Sequence, residues 1–98
     1  MSDRDPNRAD DGDGPDELTG GRARALLQYF ADELVDDPDS VEINARTWRH
    51  RVSLELSVAP DDMGKVIGRR GRTAQAIRTV VRAAGSLDDL DIHVDIVD

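Results

Sequence analysis

Asp62-Met63-Gly64-Lys65-Val66-Ile67-Gly68-Arg69-Arg70-Gly71-Arg72-Thr73-Ala74-Gln75-Ala76-Ile77-Arg78-Thr79-Val80-Val81 reads as a short helix, a glycine-bracketed turn and a longer helix. Met63, Val66 and Ile67 are the apolar positions of the first helix, and Gly68 interrupts it. After Gly71, Ala74, Ile77, Val81 and Ala84 step by three and four, the spacing of one helix face. Lys65, Arg69, Arg70, Arg72, Arg78 and Arg82 fall between Met63 and Leu87 with no acid among them, in a chain of net charge −8. Cations gathered at one place in an acidic protein suit a polyanion. Glycine has no Cβ, so a phosphate chain can approach the backbone of such a turn closely. The second helix starts right after it, and its unpaired N–H groups and dipole favour phosphate. Guanidinium groups add two-point contacts to phosphate oxygens.

Outward from this stretch the pattern alternates between helix and strand periods. Ala23, Leu26, Leu27, Phe30 and Leu34 predict an amphipathic helix from Arg22 to about Val35. Pro38 cannot continue it and restrains the residue before. Val41, Ile43 and Ala45 alternate with polar residues as a short strand, and Thr47 to His50 reads as a turn. Val52, Leu54, Leu56 and Val58 form the clearest strand in the chain, with one face buried. Ala59-Pro60-Asp61-Asp62 reads as a helix start whose carboxylates meet unpaired backbone N–H groups. Gly85 reads as the stop of the last helix, and Leu90, Ile92, Val94 and Ile96 as a third strand. The first two strands suit a hairpin; the third can pair parallel or antiparallel. The order helix, strand, strand, helix, helix, strand predicts an α+β fold, a three-stranded sheet with helices packed on one face.

The 98 residues make one domain. Residues 1–21 hold seven acids, two bases and four glycines, with Met1, Ala9 and Leu18 as their apolar content. That is too little to offset chain entropy, which predicts a disordered acidic tail over 1–21 and a domain over 22–98. A domain of this size gains stability from pairing with a second copy. The absence of cysteine excludes disulfides, thiol catalysis and thiolate metal sites. His50 and His93 lack metal-ligand spacing, and Ser53, Ser57 and Ser86 lack an activating motif, so no catalytic residue, metal or cofactor is expected. No apolar run approaches the length of a membrane span and no leader pattern is visible, so the cytoplasm is the expected location. Tyr29, Phe30 and Trp48 are too few for a broad base-stacking platform.

On the stretch quoted, with the strand and turn from Leu54 to Pro60 ahead of it, residues 22–98 resemble the bacterial KhpA family of small KH proteins, most closely over 54–84. The resemblance implies a type II KH domain that binds single-stranded RNA without catalysis. It implies a role as RNA chaperone or post-transcriptional regulator tied to cell division, elongation and cell shape. It also implies a dimer, with itself or with a KhpB (Jag/EloR-like) partner. Carried over by motif, Gly68, Arg69, Arg70 and Gly71 would face the phosphates. Lys65, Val66, Ile67 and Arg72 would edge or floor a groove for about four nucleotides. The loop from Gly85 to Asp91 would form the facing wall, where Asp88, Asp89 and Asp91 would repel phosphate. The alternative is a protein-interaction adaptor on the same scaffold with weak RNA contact.

Two further features leave alternatives open. Thr73, Ala76, Val80 and Ala83 make a second stripe on the last helix. It is a candidate dimer seam, unless Val80 fills the same core as Val81. Arg46, Trp48, Arg49, His50 and Arg51 form a second basic cluster around an aromatic. It reads first as a hairpin end with Trp48 folded back onto the sheet, and second as an extension of the RNA path.

Overall fold

The computed structural model describes residues 21–97. Helix α1 (Gly21–Leu34) buries Ala23, Leu27 and Ala31. It ends just ahead of the Asp36-Asp37-Pro38 break, where the Val35 N–H still closes on Ala31 O at 3.1 Å. Strand β1 (Glu42–Trp48) pairs antiparallel with β2 (Arg51–Ser57). The expected turn over Thr47–His50 is therefore two residues too long. Thr47 and Trp48 are good strand residues and stay in the ladder opposite Val52 and Arg51. Arg49 takes up the reversal with φ 59. Two helices, α2 (Met63–Ile67) and α3 (Arg72–Ser86), precede strand β3 (Asp91–Ile96). The helical crossover carries the chain back to the start of β2, so β3 pairs parallel to it, with Leu54 opposite Val94.

The sheet order is β1-β2-β3. Val52, Leu54 and Leu56 of central β2 are fully buried, and they meet Leu27 of α1, Ile77 and Val81 of α3, and Val94 of β3 in one core. The fold is thus the α+β arrangement expected, with a mixed sheet. Each edge strand receives a helix arginine on its main chain. Arg24 donates to Ile43 O and Arg78 to Val94 O, both at 3.1 Å. Such contacts blunt an open edge. The acidic tail expected over 1–21 lies outside the described residues, apart from Gly21 at the start of α1.

Gly85 is not a helix stop. It lies inside the last turn of α3, where an added Cβ would sit 2.1 Å from Ile92 Cγ1. Its bareness lets β3 pack close under the helix. The reversal falls instead at Asp89 (φ 58), with Leu90 N–H returning to Gly85 O at 3.0 Å.

Candidate nucleic-acid interface

Helix α2 has five residues and Val66 as its fully buried side chain. A helix that short cannot hold itself. The residue before it supplies an anchor. Asp62 is 2 % exposed, and its carboxylate does not cap α2 as the sequence suggested. Oδ1 accepts the Asp36 N–H at 3.2 Å and Oδ2 the Asp37 N–H at 3.1 Å, pinning the α1–β1 connection to the start of α2. Lys65 Nζ lies 3.1 Å from Asp62 Oδ1 and also pairs with Asp36. Its ammonium is therefore tied to two carboxylates of the fold, so the groove edge expected at Lys65 carries a cation already paired.

Burial alone would raise the Asp62 pKa. The N–H of Asp36, the Lys65 ammonium and the N–H of Asp37 outweigh it and hold the carboxyl below 3.8. Hydrogen bonds to Asp36 and Asp62 push Lys65 above 10.5. A depressed carboxyl stabilises the fold above its unfolded pKa and loses that effect as pH falls through the folded value. A raised ammonium does the opposite, losing its effect as pH climbs through its folded value. Thermal melts should therefore show this clamp weakening below about pH 3.8 and above about pH 10.5. Asp62→Asn should lower the melting temperature at pH 7 and close the gap to the parent as pH drops below 3.8. A gap that stays constant down to pH 2 would show that the carboxylate charge is not what holds α2.

Gly68 closes α2, its N–H bonded to Gly64 O at 2.8 Å. Its backbone (φ 76, ψ 174) lies in a region essentially reserved for glycine. Arg69–Gly71 make one 3₁₀ turn, closed by the Gly71 N–H on Gly68 O at 3.1 Å. Gly71 (φ 73, ψ 13) and Arg70 (φ 58, ψ 25) are both left-handed. A bulky residue in that conformation is uncommon, and such strain gathers at functional turns. No side chain among the described residues caps α3; its Arg72 N–H closes on Arg69 O, and the turn sits at the positive end of a 15-residue helix.

Arg69, Arg70 and Arg72 are exposed around this turn and make no ion pair or side-chain hydrogen bond among the described residues. Ile67 is 37 % exposed beside them, whereas Val66 is fully buried and anchors α2 instead of lining a groove. Three guanidiniums free among the described residues, a glycine-lined backbone, the positive end of a helix without a side-chain cap and one apolar side chain thus meet at one tip. The Gly85–Asp91 loop stands at the other end of α3, about 22 Å away for 15 residues. Two of its carboxylates are already engaged, Asp88 with Arg22 at 3.2 Å and Asp91 with Arg51 at 3.3 Å. A strand gripped at the turn meets them only by running the length of the helix.

The second stripe of α3 is exposed. Val80 is 44 % accessible while Val81 is fully buried, which removes the reading that both fill the core. Thr73, Ala76 and Val80 join Phe30 and Leu34 of α1 around an apolar groove of about 350 Å³. Ala83 lies exposed one turn further on. Nor does Trp48 fold back onto the sheet: it is 68 % exposed, with the Arg49 guanidinium 4.6 Å from its ring centroid. Among the described residues there is no cluster of three or more metal-ligating side chains, and no helix is long and apolar enough to cross a membrane.

Residues 24–96 match the family model described as KhpA/KhpB, KH domain. The RNA-binding protein KhpA of Halalkalibacterium halodurans is 47 % identical over 75 residues, covering 76 % of this chain and 99 % of that protein. The RNA-binding protein KhpA of Streptomyces coelicolor is 49 % identical over 72 residues, covering 74 % and 87 %. Among solved structures, Aquifex aeolicus Era bound to GDP and aluminium fluoride aligns with a TM-score of 0.54 at 21 % identity. That alignment covers 99 % of this chain and 37 % of Era, and speaks to fold.

Proposed function

The chain belongs to the KhpA/KhpB KH-domain family, and on that premise we propose that it binds single-stranded RNA in the cytoplasm through the Gly68–Gly71 turn. It is a binding protein, not an enzyme. One observation carries the reading: three arginines without a partner among the described residues surround a turn whose Gly68 backbone is reserved for glycine. Phosphates lie on Arg69, Arg70, Arg72 and the positive N-terminal end of α3, with a base against Ile67, for about four nucleotides. Kinship with proteins named RNA-binding supports it. The cellular role we assign is that of an RNA chaperone or post-transcriptional regulator acting on cell division and elongation.

Three phosphate contacts on a single strand give a salt dependence of roughly −2 in log K against log salt, at about 0.7 per contact. The adaptor alternative separates by nuclease treatment. RNA that co-purifies with the chain and disappears with nuclease supports the reading. A stable protein complex indifferent to nuclease, with no RNA bound, supports the adaptor.

The domain works as a dimer, with a second copy or with a KhpB partner, along Thr73, Ala76, Val80 and Ala83. The exposed Val80 beside the α1–α3 groove supports this. Val80→Asp is expected to yield a folded monomer by sedimentation. A dimer that survives the change places the seam elsewhere.

A further inference from the structure

We propose that Trp48 is a second RNA contact, a base-stacking site at the opposite end of α3 from the glycine turn. The proposal rests on the RNA-binding reading above. Trp48 ends β1 on the sheet face that, among the described residues, no helix covers. At 68 % exposed, it is a large apolar ring left in water. Its surroundings are cationic. Arg46 shares its face two residues back, Arg51 is its cross-strand partner, and Arg49 and His50 form the turn beside it.

Carboxylates account for two of these cations: Asp91 holds Arg51 at 3.3 Å, and Glu55 sits 3.9 Å from Arg46. Arg49 has no acidic partner among the described residues. Its guanidinium lies over the indole, 4.6 Å from the ring centroid, in a side chain that stays largely in water. An aromatic ring backed by a cation is suited to a nucleobase, and the same guanidinium is placed for the adjoining phosphate. A protein partner fits less well, because the cross-strand and same-face neighbours of Trp48 are charged where an interface core is apolar.

The glycine turn and the Trp48 end of the sheet flank opposite ends of α3, itself roughly 22 Å long, so Trp48 lies outside a footprint of about four nucleotides centred on the turn. It therefore acts on long RNA and is silent on short RNA. Trp48 is the chain's one tryptophan, so its fluorescence reports contact directly.

Full-length protein is titrated with unstructured oligoribonucleotides of about five and about twenty residues, following both end-label anisotropy and tryptophan emission. The long oligomer is expected to quench Trp48 and the short one to bind without quenching. Trp48→Ala should weaken the long oligomer roughly 5- to 150-fold, the range for one stacked base, and leave the short one unchanged. Trp48→Phe should recover part of the loss. Unaltered long-oligomer affinity in Trp48→Ala, while a variant with Arg69→Asp and Arg70→Asp together binds poorly, overturns this contact and leaves the turn standing. Loss of a protein partner in that variant without loss of RNA assigns the face to protein and also overturns it. If neither oligomer binds the parent chain, the RNA reading fails and this proposal with it.

Discussion

Replacing both Arg69 and Arg70 with aspartate is expected to lower RNA affinity by about 100-fold or more at low salt, with stability kept within about 0.5 kcal/mol of the parent. Both side chains are exposed, and neither has a protein partner among the described residues, so removing them breaks no contact of the fold. Arg70 is left-handed (φ 58, ψ 25), a conformation that aspartate adopts more readily than most residues. New carboxylates just before α3 also agree with the helix dipole. RNA meets the reverse: two cationic contacts vanish and two negative charges face its phosphates. The salt slope should fall from roughly −2 to about −0.7, the share of Arg72 alone. A variant that kept both its affinity and its slope would place the RNA away from this turn.

The two glycines of the turn should respond very differently to substitution. Gly68→Ala is expected to cost about 2–5 kcal/mol in urea or thermal unfolding. Its backbone (φ 76, ψ 174) excludes side chains, and a Cβ would lie 2.2 Å from Thr73 Oγ1 and 2.6 Å from Thr73 Cβ. Thr73 belongs to the first turn of α3, so relief requires the helix itself to shift. Gly71→Asn should cost no more than about 1 kcal/mol. Gly71 is left-handed in the region asparagine tolerates, and nothing described lies within 4 Å of its added Cβ. Equal losses at the two positions would mean that the turn does not have this geometry.

The elements were readable where one period dominates. Val52, Leu54 and Leu56 alternate without interruption, and Ala74, Ile77 and Val81 keep helical spacing, so β2 and α3 lay open in the chain. The turn was readable because its glycines, bases and flanking helices coincide. What stayed hidden depends on residues distant in sequence. Asp62 reads locally as a cap, yet its partners Asp36 and Asp37 lie 26 and 25 positions away. The Lys65 that follows it by three residues was the available hint that both belong to a clamp. Gly85 reads as a stop until Ile92 is placed beneath it. Val80 and Val81 are adjacent, and only the position of α1 decides which one faces the core. Trp48 was misread because hairpin register, not local composition, sets where β1 ends.

The most direct test is to follow backbone amide shifts while adding an unstructured oligoribonucleotide of about ten residues at low salt. The largest changes should fall on Gly68, Arg69, Arg70, Gly71 and Arg72, and rising salt should reverse them. A spectrum in which those amides stay fixed while others move, or in which none move, would contradict RNA binding at this turn.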